Sequence, residues 1–420
     1  MPFLKTTVKS ISLSLLAFSS LSVMAQENSP YSRYGLGNLK QIESVLSKGM
    51  GGVAVADDNP LVPNPVNPAT YASLRMTSYQ AAMEGSLVTV RNSNSSNRTG
   101  SATFSYINIG FPLGKHAGLS FGLLPQTRSR YNMEKTDTLN FATATSSYSG
   151  GGGIQKIYIG AAYRFQDFSV GFNTGYNFGN LINGTETNYT DSLRIIPSDV
   201  NSRITMGGIF WQMGGLYKAK IDENLCLNIG VTYTGNQRMN ATRETVWSYL
   251  INSNADTLYY QQSTQKGKVV MPSNFGAGMV LSRGDYWQIG LDLTTANWEK
   301  FTIMGKTDST TRTFMVKLGG AITPDVNSVS NYWKKMTYRA GFNYGQDYLQ
   351  FQGHKLNKMA FTIGAGYPIR RTNLSIGQIN AALEMGKRGT TADGLIREGF
   401  TRFSFGLTFN DKWFVKRKYD

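Results

Sequence analysis

Phe168-Ser169-Val170-Gly171-Phe172-Asn173-Thr174-Gly175-Tyr176-Asn177-Phe178 decides the fold class of this chain. In an extended strand successive side chains point to opposite faces, so Phe168, Val170, Phe172, Tyr176 and Phe178 share one face, while Ser169, Gly171, Asn173, Gly175 and Asn177 share the other. One face suits hydrocarbon and the other water. Leu225, Leu227, Ile229, Val231 and Tyr233 oppose Cys226, Asn228, Gly230 and Thr232 in the same way. Near the end, Phe403, Phe405, Leu407 and Phe409 oppose Arg402, Ser404, Gly406 and Thr408. A single such strand fits a soluble sandwich with one wet face. A long series separated by alternately short and long connections fits a barrel, because in lipid every backbone N–H and C=O must pair within the protein and a sheet satisfies that only by closing.

The spacing predicts an all-β chain, a 14-stranded antiparallel transmembrane β-barrel, with strands near 77–90, 103–113, 117–127, 153–165, 168–178, 204–220, 225–236, 267–282, 286–294, 313–323, 336–346, 359–369, 375–388 and 399–409. Gly114-Lys115-His116, Gln166-Asp167, Asp222-Glu223-Asn224 and Arg283-Gly284-Asp285 read as tight periplasmic turns. The polar stretches 91–102, 128–152, 179–203, 237–266 and 295–312 read as external loops. An even strand number places both termini in the periplasm, with a basic tail over 410–420.

Upstream, Lys5 and Lys9 precede the apolar run Ile11 to Val23, which ends at Val23-Met24-Ala25. Residues 1–25 read as a secretory signal peptide, since about 13 weakly apolar residues are too few to cross ~30 Å of hydrocarbon. The single cysteine, Cys226, excludes an internal disulfide. Residues 26–76 lack strand alternation and are crowded with Gly and Pro, including Asn59-Pro60-Leu61-Val62-Pro63-Asn64-Pro65-Val66-Asn67-Pro68-Ala69. They read as a plug (hatch) in the lumen of the 77–409 barrel, the other reading being a disordered periplasmic arm.

Composition follows the same line. A hydrophobic content of 40% and a mean hydropathy of −0.28 look soluble, yet a barrel with a polar lumen has these values. The net charge of +16 falls by two, to +14, once Lys5 and Lys9 leave. The remaining Lys and Arg are scattered rather than gathered, which argues against a nucleic-acid partner and for outer-membrane lipid or lipopolysaccharide phosphates. No metal-ligand cluster or phosphate loop calls for a metal or cofactor. The two histidines, His116 and His354, lack a recognisable nucleophile; Ser120 merely shares a strand face with His116, so no enzyme is expected.

Gly49-Met50-Gly51-Gly52-Val53-Ala54-Val55-Ala56-Asp57 followed by Asn67-Pro68-Ala69 resembles the hatch of the FadL superfamily of outer-membrane transporters. Pro272-Ser273-Asn274-Phe275-Gly276-Ala277-Gly278, Gly290-Leu291-Asp292, Trp298 and Tyr338-Arg339-Ala340-Gly341-Phe342-Asn343-Tyr344 are similar to its second half. Ser29-Pro30-Tyr31-Ser32-Arg33-Tyr34-Gly35-Leu36-Gly37 and Asp411-Lys412-Trp413-Phe414 resemble a Bacteroidota branch, distantly similar to PorV of the type 9 secretion system. The resemblance implies uptake of a hydrophobic small molecule, a long-chain fatty acid or aromatic hydrocarbon, by hatch movement and lateral release. Gly51, Gly52, Asn67, Pro68 and Ala69 would be the hatch. Pro125 would mark the lateral gate, where a missing N–H breaks a ladder bond, or it would simply end its strand. The alternative is a non-transporting FadL-like barrel that docks other outer-membrane or periplasmic proteins.

Alternation points Asp292, Arg339, Asn343, Asn380, Glu384, Arg388 and Arg402 into the lumen, as ion pairs with one another or the plug, or as contacts for a ligand carboxylate. Asp137-Thr138-Leu139, Asp191-Ser192-Leu193, Asp256-Thr257-Leu258 and Asp308-Ser309-Thr310 match a short pattern that resembles Bacteroidota O-glycosylation sites.

Overall fold

The computed structural model describes residues 28–413 except 94, 139–142, 191–195, 251–256, 329–330 and 372–374. The expected signal peptide, most of the basic tail, and the loop motifs at Leu139, Asp191-Ser192-Leu193 and Asp256 lie outside the described residues.

Fourteen antiparallel strands form a closed ring. They are β1 (Thr77–Arg91), β2 (Ser96–Leu113), β3 (Ala117–Pro125 and Thr127–Thr138), β4 (Thr143–Phe165), β5 (Phe168–Tyr189), β6 (Ser198–Lys220) and β7 (Leu225–Thr234 and Gln237–Leu250). The ring continues with β8 (Thr257–Met271 and Asn274–Arg283), β9 (Trp287–Asn297), β10 (Arg312–Ile322), β11 (Thr337–Phe351), β12 (His354–Arg371), β13 (Ser375–Gly389) and β14 (Arg397–Asp411). β14 pairs with β1 from Asp411↔Thr77 to Arg397↔Arg91 and closes the ring. The outward face carries large exposed apolar side chains, with Ile209 at 69%, Val170 at 64% and Met83 at 60%. Their alternate neighbours Asn173, Asn177, Asn228 and Asp292 are buried inward, the division that a lipid-facing wall requires.

Two expectations need correction. First, much of the sequence assigned to external loops is strand: β4, β5 and β6 run 22–23 residues, and 237–250 pairs with 257–271. Beyond the apolar band both faces are wet, so alternation disappears while Thr- and Tyr-rich pairing continues. Second, the two described ends of the chain lie at opposite ends of the barrel. Asp411 sits beside Thr77 at the short-turn end, whereas Asn28 bonds Thr99 and Asn132 at the end with the long connections. Strand parity governs only the barrel strands; the N-terminal segment runs the length of the interior before β1 begins.

Candidate functional site

Residues 28–76 are largely buried, and they pack against inward positions round the whole ring. Inward glycines make room for them. A Cβ on Gly118 of β3 would overlap the Tyr71 carbonyl, on Gly171 of β5 the Pro68 carbonyl, and on Gly230 of β7 the Val55 carbonyl. On Gly319 of β10 and Gly341 of β11 it would overlap the backbone of Met50 and Gly51. The turn that packs on the inward face of those two strands uses Gly51 and Gly52 at φ +69° and +87°, a region that disfavours side chains.

Polar groups then lock the segment. The Asp292 carboxylate accepts from the Ala54 N–H at 2.6 Å and the Val55 N–H at 2.9 Å. Asn343 donates to the Gly51 carbonyl, and Thr362 donates to Gly49 and accepts from Gly51. Asn67 caps a short 3-10 helix, Pro68–Ser73, by accepting from the Ala69 N–H. Its amide donates to the Val55 carbonyl at 2.6 Å and the Gly215 carbonyl at 3.1 Å, so the Asn-Pro-Ala turn is tied to β6. Asn67→Ala should cost about 2–4 kcal/mol, read as a lower urea midpoint for loss of the barrel's heat-modifiable gel band; an unchanged midpoint would remove Asn67 from the lock.

Of the expected lumen charges, Glu384, Arg388 and Arg402 stand in ion pairs, whereas Asp292 and Arg339 meet neutral partners. Glu384 accepts from Arg402 at 3.1 Å and Gln41 at 3.3 Å. Arg388 meets Asp347 at 3.0 Å, Glu398 at 3.5 Å and the Asn38 side chain at 2.7 Å, and Arg339 donates to Asn380. Sequence reading missed two further sets of pairs: Glu84 of β1 with Lys48 at 2.6 Å and Lys40 at 3.3 Å, and Lys317 of β10 with Glu43. The signal was present in Ala82, Glu84 and Ser86, which alternate against Met83, Gly85 and Leu87.

Two carboxyls of the N-terminal segment differ instructively. Burial alone would raise Glu43, but the Lys317 ammonium against it holds it below its ordinary value. Burial pushes Asp57 up to about 7, with Asp58 and Asp292 adding to the rise and Arg339 offsetting part of it. The folded state therefore keeps a proton on Asp57 that the unfolded chain loses above about pH 4. The contribution of Asp57 to stability should fall as pH rises from about 4 to about 7 and then level. Asp57→Asn should melt several degrees above the parent at pH 8 and together with it at pH 4; equal melting at both would show that Asp57 is charged when folded.

Towards the long-connection end the expected polar lumen also holds an apolar core. Leu36, Met239, Val269, Phe301, Tyr348 and Leu356 form one buried cluster there. The interruptions at Gly235-Asn236 and Pro272-Ser273 divide β7 and β8, and beyond them Met239, Val269 and Met271 turn inward.

At Pro125 the wall parts. Pairs between β2 and β3 run from Leu113↔Ala117 to Ile107↔Leu123 and stop. β3 bulges at Gln126, bonded to the Ile154 carbonyl, and resumes at Thr127, so Pro125 interrupts the strand rather than ending it. The N-terminal segment occupies the opening. Asn38 and Leu39 pair with Arg128 and Thr127, the Lys40 and Ser29 N–H groups donate to the Gln126 and Arg130 carbonyls, and Asn28 bridges Thr99 on β2 to Asn132 on β3. A cavity of about 450 Å³ opens at the same rim, lined by residues including Tyr31, Tyr34, Met133, Phe351 and Ile396. Neither Pro125 nor the Asn-Pro-Ala turn lines it.

Solved structures share this architecture. The Ralstonia pickettii toluene transporter TbuX aligns with TM-score 0.59 at 15% identity, over 90% of this chain and 99% of its own. A Pseudomonas aeruginosa FadL homologue aligns with TM-score 0.61 at 12% identity, and the P. putida toluene transporter TodX with 0.55 at 13%, each over 90% of this chain and 99% of its own. At such identities the likeness is one of fold, and that fold is the FadL one. No curated protein matches the sequence. A family model described as BamG matches residues 7–420.

Proposed function

The chain belongs to the BamG family, and from that premise we propose that it is a non-transporting outer-membrane barrel that serves as a docking subunit of a larger outer-membrane protein assembly. One observation carries this reading: residues 28–76 both fill the lumen and stop the parting of β2 from β3 beyond Pro125. Hatch movement would have to break buried ion pairs at Glu84 and Lys317 together, and breaking even one such pair is costly. The long-connection end faces out on this reading, and the short-turn end with Asp411 faces the periplasm.

Catalysis finds no support in the geometry. The Ser120 hydroxyl bonds Tyr158 and the Ile109 carbonyl, and His354 pairs with Asp393 at 2.6 Å. A second reading, uptake of an aromatic hydrocarbon or long-chain fatty acid with lateral release, is favoured by the β2/β3 parting and the aromatic-lined rim cavity. Purification from native outer membranes in mild detergent, with mass spectrometry of proteins and lipids, separates the two. A stoichiometric protein partner supports docking, whereas a stoichiometric apolar ligand without a partner supports uptake.

A further inference from the structure

Arg238 of β7 and Lys266 and Lys268 of β8 stand on the outward face of adjacent strands at the long-connection end. The register sets Arg238 opposite Val270, Asn240 opposite Lys268 and Thr242 opposite Lys266. Met239, Ala241 and Val269 are buried inward, so the three cations point out of the barrel, and all three are exposed. Among the described residues none of them is in an ion pair. Exposed Lys306 lies close by, where the Met304 N–H donates to the Lys268 carbonyl. Among the described residues of β7 and β8 the outward face carries one carboxylate, Glu244, opposite Arg203; Glu186 and Asp199 face each other farther along β5 and β6, and exposed Glu299 sits beside Lys300. Directly towards the apolar band come the rings of Trp211 and Tyr233, 5.6 Å apart, and exposed Phe275. The short-turn end differs, because its cations alternate with acids, as in Lys220-Ile221-Asp222-Glu223 and Arg283-Gly284-Asp285.

We propose that Arg238, Lys266 and Lys268 form a binding site for the phosphates of a phosphorylated glycolipid in the outer leaflet. This rests on the long-connection end facing out. The chemistry follows from position. Aromatic side chains at the edge of a barrel's apolar band lie at headgroup level, which places the three cations where lipid phosphates sit and leaves Trp211, Tyr233 and Phe275 against the acyl chains. Arginine takes phosphate through two parallel N–H donors, and lysine adds a point charge. Each such cation contributes about 1 kcal/mol at an anionic membrane surface.

Native mass spectrometry of the purified full-length barrel, titrated with bisphosphorylated lipid A, dephosphorylated lipid A and phosphatidylglycerol, tests the site. The expected result is preference for bisphosphorylated lipid A, weakened about tenfold to a hundredfold by Arg238→Gln/Lys266→Gln/Lys268→Gln, with heat-modifiable migration unchanged because the three side chains are exposed. Equal binding of dephosphorylated lipid A or phosphatidylglycerol, or indifference to the triple substitution, would overturn it. Binding in detergent does not depend on orientation, so orientation is read separately: Thr264→Cys, in a Cys226→Ser background, should react with an impermeant maleimide on intact cells. Reaction only after cell disruption would overturn the outer-leaflet assignment even if phosphate binding persisted.

Discussion

Glu84→Gln is expected to destabilise the barrel by about 3–5 kcal/mol, seen as a lower temperature for loss of the heat-modifiable band and faster proteolysis of residues 28–76. Glu84 is 6% exposed and answers two lysines, Lys48 at 2.6 Å and Lys40 at 3.3 Å. Lys48 is itself 6% exposed and donates as well to the Ser105 hydroxyl. Removing the carboxylate charge leaves two ammonium groups in a site of low dielectric with no other carboxylate within ion-pair distance among the described residues. The cost is that of the stranded charges rather than the worth of the pair, so replacing the partners together should behave differently. Glu84→Leu with Lys48→Met should recover part of the loss. If Glu84→Gln melts with the parent, the N-terminal segment is not held by charge.

Gly118→Val should cost about 3 kcal/mol or more. Its added Cβ would collide with the backbone carbonyl of Tyr71, and backbone cannot rotate aside as a side-chain tip can. Either the Pro68–Ser73 turn withdraws or β3 bends. The outward Gly85 of β1 is the matched control, since a Cβ there would find its nearest neighbour, the Phe403 carbonyl oxygen, at 3.9 Å. Gly85→Ala should stay within about 0.5 kcal/mol of the parent. Thermal melts of both variants in one detergent decide the matter: equal effects would mean that the interior does not press on the wall.

The barrel was legible because a lipid-facing wall writes period-two alternation directly into sequence, and each of the 14 expected strands coincides with an observed one, with mismatches of only one or two residues, as at 126, 235–236, 272–273, 286, 323 and 336. Legibility failed where that constraint lapses. Thr185-Glu186-Thr187 continues β5 with no apolar face to announce it, because both sides are wet. The interruptions at Gln126, Gly235-Asn236 and Pro272-Ser273 fall inside the expected strands 117–127, 225–236 and 267–282, and, Pro125 aside, no local pattern announces them or the apolar cluster that lies beyond them. Alternation alone places Asp292, Arg339, Asn343, Glu384 and Arg388 on the inward face, where they are buried. Their partners were not legible, since which carboxylate meets which ammonium depends on how residues 28–76 wind round the ring. Glu43 and Lys317 are 274 residues apart, and no local pattern joins them.

Locking the N-terminal segment to the wall tests the docking reading most directly. A Cβ on Gly406 of β14 would lie 3.3 Å from the Val45 Cβ, near the ~3.5–4.5 Å that a disulfide spans. Val45→Cys/Gly406→Cys, with Cys226→Ser, can therefore be oxidised in cells that carry it as the only copy. The measurement is accumulation of radiolabelled hexadecanoate and toluene before and after oxidation, alongside recovery of the protein partner. The account predicts unchanged accumulation and a retained partner. Accumulation that falls on locking and returns on reduction would contradict it and make the segment a moving hatch.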